Sequence, residues 1–225
     1  MQEALSIGKH LGDKFIIANA LSNLGLFACL QNDLEQARLY LEQSLDLFEE
    51  LKPAHKWEFS EVHIYMGDVA FGQNCIKEAR LHYERSAKTL REAGDRLTLA
   101  LAVRRLGQLA LHEGDSEKAI IYCTESLDLN VKAKDQRGIL ACVSAIAGIT
   151  LARGQAEAAA QLFGAVKTLL SAVNIRFLRV DRLEYERNLA MLGSQLDQES
   201  LEKAWAKGAI MTQEQAVELA LDMAK

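Results

Sequence analysis

Leu106-Gly107-Gln108-Leu109-Ala110, then a turn at Gly114-Asp115, then Ala119-Ile120-Ile121-Tyr122-Cys123: this stretch decides the fold, because the chain writes it four times. Its other versions begin Leu24-Gly25-x-x-Ala28, Met66-Gly67-x-x-Ala70 and Ile146-Ala147-x-x-Thr150. The small residues stand at 25, 67, 107 and 147, so the spacings are 42, 40 and 40. Twelve residues after each comes an alanine: Ala37, Ala79, Ala119 and Ala159. Four further on stands a bulkier side chain, Leu41, Tyr83, Cys123 or Phe163, and then Ser44, Ser86, Ser126 or Val166. Self-similarity at a fixed period is the mark of a repeat architecture.

Within each unit, Asn32, Asn74, Gly114 or Gly154 separates two runs whose apolar residues recur at three- and four-residue steps. Asn and Gly tolerate the left-handed conformation that ends a helix, so each unit reads as helix, tight turn, helix. Leu34, Ala37, Leu41, Leu45 and Phe48 form one such apolar stripe. Asp13, Asp95, Asp115 and Asp135 precede helical runs and are predicted to cap them. A glycine inside a helix costs about 1 kcal/mol relative to alanine, so Gly25, Gly67 and Gly107 need a compensating reason. The expected reason is close approach to the alanine of the partner helix. Ala79 is therefore expected in the core and Gln73 on the surface.

The pattern resembles the tetratricopeptide repeat, with its leucine-glycine-x-x-tyrosine, its alanine-x-x-x-phenylalanine and its closing proline. Leu21, His63, Val103 and Val143 replace the family's tryptophan, and Glu49, Arg91, Val131 and Ser171 replace its proline. The resemblance implies an all-α chain, a right-handed superhelical α-α solenoid of helical hairpins with a C-terminal helical cap. Residues 1–171 are expected to hold the repeats and 172–225 the cap. Ala4 to Leu11 aligns with Ser44 to Leu51 at a shift of 40, so residues 1–11 are expected to be a half repeat whose other half lies upstream in a longer chain. An open first end makes self-association an expectation too.

In the cap, Arg182 to Leu196 reads as one helix, Asp197 opens a second, and Thr212-x-x-Gln215 is a capping box for a third. The run from Tyr185 through Ala204-Trp205-Ala206-Lys207-Gly208 to Met211-Thr212-Gln213-Glu214-Gln215-Ala216 is similar to the closing segment of large bacterial signal-transduction ATPases. These are often tied to LuxR-type or SARP-type transcription factors. Gly154-x-x-Glu157-x-Ala159-Ala160-x-Leu162-Phe163-Gly164-Ala165 adds to that similarity. It implies a sensor or scaffold arm that binds protein or peptide in the cytoplasm. A stand-alone peptide receptor of the quorum-sensing-regulator type is the alternative.

Several classes are disfavoured. A net charge of −5 lacks the basic footprint of a nucleic-acid binder. Charges interrupt every apolar run before it reaches membrane-spanning length. Cys29, Cys75, Cys123 and Cys142 form no C-x-x-C pair and suggest free thiols in a reducing compartment. No phosphate loop, H-E-x-x-H, G-x-S-x-G or G-x-G-x-x-G occurs, so neither an enzyme nor a cofactor is expected. His55, Glu58, Glu61 and His63 come nearest to a metal set, but Glu61 and His63 are two apart on a helix and do not share a face. Cys123 sits at a packing position and is expected to be a buried, inert thiol.

In stacked hairpins the first helices line the inner surface. The ligand-contacting positions are then expected at Asn19, Ser22 and Asn23 in repeat 1, with Leu26 beside them. In repeat 2 they are Glu61, Tyr65 and Asp68, with Ile64. In repeat 3 they are Arg104, Arg105, Gln108 and His112, and in repeat 4 Ala141, Ser144 and Gly148. Asn23 offers an amide to an extended backbone, Tyr65 flat apolar area, and the arginines a grip on a carboxylate.

Overall fold

A computed structural model describes residues 1–51 and 55–225; Pro53, the only proline, lies outside them. The described residues form twelve α-helices and no strand. In order they are α1 (Gln2–Leu11), α2 (Lys14–Leu30), α3 (Leu34–Leu51), α4 (Lys56–Gly72), α5 (Ile76–Ala93), α6 (Arg96–His112), α7 (Ser116–Ala133), α8 (Gln136–Ala152), α9 (Ala156–Ala172), α10 (Arg179–Gln195), α11 (Gln198–Ala209) and α12 (Gln213–Met223). The sequence period is visible in these bounds. Each helix that opens a repeat, α2, α4, α6 and α8, is 17 residues long.

The punctuation falls where the sequence places it. Asn32, Asn74, Gly114 and Gly154 have φ of 65°, 61°, 82° and 80°, the left-handed region that turns one helix into the next. Asp13 accepts from the backbone N–H groups of Phe15 and Ile16, Asp95 from Thr98, Asp115 from Lys118 and Asp135 from Arg137. Each cap satisfies donors that a helix start leaves open. Thr212 and Gln215 form the reciprocal capping box of α12.

Contacts divide the chain into two compact units, Met1–Ala102 and Val103–Lys225, with the boundary inside α6. In the first unit α2 packs on α3, α4 on α5, and α3 and α2 on α4. Their shared core holds Ala18, Ala37, Leu41, Phe48, Phe59 and Met66. Ser44 is buried and donates to the carbonyl of Ala18 at 2.8 Å. In the second unit α8 packs on α7 and α9, α11 on α9, and α10 and α12 on both α8 and α9. Phe163, Leu192, Ala204 and Ala216 belong to its core.

The glycines permit close approach, with a different neighbour from the one expected. A Cβ on Gly25 would lie 2.5 Å from Cγ of Leu41, and one on Gly67 would strike the ring of Tyr83. On Gly107 it would lie 2.8 Å from Sγ of Cys123. The residue accommodated is thus the bulky one four positions beyond the alanine, while Ala37 and Ala119 present backbone oxygens at 3.3 and 3.2 Å. A second close crossing seats α11 on α9. There a Cβ on Gly164 would lie 2.5 Å from the carbonyl oxygen of Trp205, and one on Gly208 would overlap that of Gln161.

Gln73 departs from its expected role as a bland surface residue. Its Oε1 accepts from Arg38 Nε at 3.2 Å and Nη2 at 2.6 Å, and Arg38 also holds Glu78 at 2.6 Å. An amide beside an arginine one repeat earlier in the chain cannot be read from local pattern.

Ala79 is 0% exposed. Ala79→Asp is expected to bury an unpaired carboxylate and cost about 3 kcal/mol or more, read by urea denaturation. Lys77→Ala, at an exposed site about half a turn away, is expected to stay within about 0.5 kcal/mol of the parent. Equal midpoints for the two variants would refute the helix register.

Candidate functional site

The positions expected to line the groove meet two fates. In the first unit most of them keep some exposure. Asn23 is exposed, Asn19, Leu26, Glu61, Tyr65 and Asp68 are half-buried, and Ser22 and Ile64 are buried. Their polar groups are partly engaged with their own unit. Asn19 Nδ2 donates to the carbonyl of Phe15 at 3.1 Å and Asn23 Nδ2 to that of Asn19 at 2.9 Å. Tyr65 donates to Glu61 Oε1 at 2.7 Å, and buried Tyr83 donates to Asp68 Oδ1 at 2.8 Å. Burial pushes the Glu61 carboxyl above its ordinary range, opposed by the Tyr65 hydroxyl. This face therefore offers an amide oxygen, a ring and carboxylates over a floor that includes Ile64.

In the second unit the same register positions are closed. Arg104, Arg105 and Gln108 were expected in an open groove but are 4%, 2% and 9% exposed. The reason is Asp181 on α10, itself 5% exposed. Its Oδ1 accepts from Arg104 Nη1, from Arg105 Nη1 at 2.7 Å and from Gln108 Nε2 at 3.1 Å. Gln108 Oε1 accepts in turn from Arg105 Nη1 at 2.9 Å. Buried charges demand partners of this kind, because a lone ion in the interior is too costly to retain. Ala141, Ser144 and Gly148 on α8 are buried as well. A Cβ on Gly148 would meet the amide of Asn188 on α10, so glycine there makes room for that side chain. A cavity of about 10 Å³, roughly one water molecule's worth, remains among Gln108, Ser144, Asp181, Glu184 and Asn188.

Further contacts seat α10. Tyr185 stands edge-on to Phe163 and Phe177, each ring pair 5.7 Å apart. Desolvation pushes its phenol up to about 12. Burial raises the Glu184 carboxyl, with Arg187, His112 and Arg105 pulling it back. His112 itself is exposed. Asp181, Glu184 and Asn188 carry no local motif; the only hint of them in the sequence is an arginine pair on a helix face that needs a counter-charge once covered.

The histidines nearest to a metal set in the sequence have other neighbours. His63 is buried, and its Nδ1 lies 2.8 Å from Nδ1 of His82, with Phe59 packed edge-on at 4.5 Å. One imidazole donates there and the other accepts. His55 instead lies against the ring of Phe15, 4.3 Å between centroids. Among the described residues, no group of three or more His, Cys, Asp or Glu side chains could hold a metal ion. Cys123 and Cys142 are buried, and desolvation raises both thiols, far from the depressed value a nucleophile requires. Among the described residues no helix is long and apolar enough to cross a membrane.

Compared with known proteins, the chain matches no family model, and none of the curated proteins matches it.

Two outcomes follow from this geometry. Asp181→Ala leaves two guanidinium groups buried without their shared carboxylate, and is expected to cost the second unit about 3–5 kcal/mol. Hydrogen exchange should show it first in α10, with α7 to α9 losing protection later; unchanged protection of α10 would deny Asp181 its anchoring role.

The second concerns pH. Burial lowers the His82 pKa from its ordinary 6.5, Arg38 and Arg85 push the same way, and Glu78 opposes. The unfolded chain therefore takes up this proton before the folded one. Stability from His82 is held above about pH 6.5 and falls as pH drops below it. His82→Gln should flatten the urea midpoint between pH 7.5 and 5.5 relative to the parent, whereas parallel curves would mean that this ring does not titrate on unfolding.

Proposed function

We propose that this chain is a binding module for protein or peptide, without catalytic activity of its own. It would be built as a superhelical stack of tetratricopeptide-like hairpins and serve as the cytoplasmic sensor or scaffold arm of a larger bacterial signalling or transcription-regulatory protein. The repeat spacing and the left-handed turns support the hairpin reading. Resemblance of the closing segment supports the regulatory one.

One observation carries the binding reading: in the second unit the inner face of α6 and α8 already holds a helix. Arg105, Gln108 and Gly148 receive Asp181 and Asn188 of α10. In register, Arg105 corresponds to Asn23 and Tyr65, while Gln108 and Gly148 correspond to Leu26 and Asp68. The face that accommodates the chain's own helix in one unit thus presents an amide, a phenol and a carboxylate in the other. These groups suit a polypeptide, since they combine flat apolar area with donors and acceptors for a backbone. Charge does not select an acidic ligand there, because Glu61 and Asp68 outnumber any cation among these positions.

The test is peptide display against the purified chain. Selected peptides are expected to bind the parent saturably and to lose at least tenfold in affinity with Asn23→Ala and Tyr65→Ala combined, measured by fluorescence anisotropy. Leu81→Ala, an exposed site on α5, should leave them unaffected. Equal binding by all three proteins would remove the inner face of α2 and α4 from the proposal. Arg104→Glu is not a suitable probe, because it would place a carboxylate beside Asp181.

A further inference from the structure

The second unit also carries a trough on its other side, independent of the inner face. Its walls are α7 and α12, and its floor includes Ile139 of α8, only 3% exposed. One part, of about 810 Å³, runs between Val131 on α7, with Lys134 just past its end, and the length of α12. It continues past Leu221 and Lys225 into a part of about 390 Å³ beside Ile121, Thr124 and Glu125. The N-terminal half of α7 therefore faces the C-terminal end of α12. From Ile121 to Lys134 the trough is about 20 Å long at 1.5 Å per helical residue, a length matched by a helix of three to four turns.

Both walls are apolar where a partner would lie. Ile121 is 64% exposed, Val131 43% and Leu221 39%, with Val217 half-buried between. On α12, Val217 and Leu221 are i and i+4, so they form one stripe. Glu214, Glu218 and Asp222 form a second row at i, i+4 and i+8 along the edge of that stripe, and all three are exposed. Like charges at this spacing repel one another. Lys225 answers Asp222 at 2.8 Å. Glu125 stands across the trough, so the rim remains acidic despite Lys134.

We infer that this trough docks an amphipathic α-helix of another protein, whose apolar stripe is flanked by lysine or arginine. The apolar walls take the stripe, and the row at Glu214, Glu218 and Asp222 takes the flanking cations, relieving its own repulsion. An acidic or uncharged helix of the same shape meets the same apolar surface without that gain, so the row supplies the choice of partner.

The probe is a labelled 14-residue helix of leucine and lysine with leucines on one face, compared with its leucine–glutamate counterpart. The lysine peptide is expected to bind the full chain at one to one, at least tenfold tighter than the glutamate peptide at 50 mM salt. Glu214→Lys, Glu218→Lys and Asp222→Lys together should invert that order, with circular dichroism confirming an intact fold. Leu221→Asp should weaken the lysine peptide at least tenfold, while Tyr65→Ala, on the inner face of the first unit, should leave it unchanged. Absence of saturable binding, or affinities indifferent to the charge reversal, would overturn the inference. So would a homodimer in sedimentation that Leu221→Asp dissolves, which would assign the trough to a second copy of the chain.

Discussion

The fold depends on how closely two helices of a hairpin can lie, and that is set by the side chain facing each small residue. Gly25 lies under Leu41, Gly67 under Tyr83 and Gly107 under Cys123, at distances that leave no room for a methyl group. The roughly 1 kcal/mol that a helical glycine costs is offset here by the burial of the side chain above it. Burial of a leucine or larger side chain contributes about 1.5–3 kcal/mol. Leu41 and Tyr83 are 0% and 1% exposed. The contact also fixes rotation. Once position 25, 67 or 107 faces the partner helix, the residues two before and one after it turn away from that helix.

That chain of consequence explains what could be read from the sequence. The forty-residue beat, the turn residues and the aspartate caps are local or nearly local, and each reports on backbone geometry within a few residues of itself. Asn32 and Asn74 turn left-handed because their short polar side chains tolerate it, and Asp115 caps because it sits one residue before Ser116. The partner of each glycine was misjudged by one helical turn, because spacing gives the face but not which of two residues on it fills the gap. The surroundings of Arg104 and Arg105 were not legible. Their counter-charge is 76 and 77 residues away in a helix without repeat signature. Gln73 failed for the same reason, since Arg38 reaches it from 35 residues earlier.

The burial of an arginine pair on one aspartate bears on specificity more than on stability. Removing two guanidinium groups and a carboxylate from water costs several kcal/mol per ion, and their mutual attraction does little better than repay it. An apolar cluster would hold α10 at least as firmly. What charge adds is a single acceptable seat. Oδ1 of Asp181 takes donors from both arginines and from Gln108, so displacement of α10 along its axis by one turn would break all three bonds at once. The glycine at 148 works in the same direction, because only a small residue accepts Asn188 at that height. Shape and charge thus fix one register for a helix whose own buried side chains are few.

The same reasoning separates the two faces as recognition surfaces. Where Arg104, Arg105 and Gln108 meet Asp181 the charge is desolvated, and the helix it holds belongs to the chain itself. Along α12 the carboxylates are in water, where each contributes little alone and is screened by salt. A solvated row of like charge beside an apolar stripe influences encounter and choice of partner before it influences how long the complex lasts. Residence there would come from Val217, Leu221 and Ile121, whose exposed area is removed from water only when a helix lies over it. Grip and selection are therefore carried by different side chains along α12, one residue apart on adjacent edges of one helix.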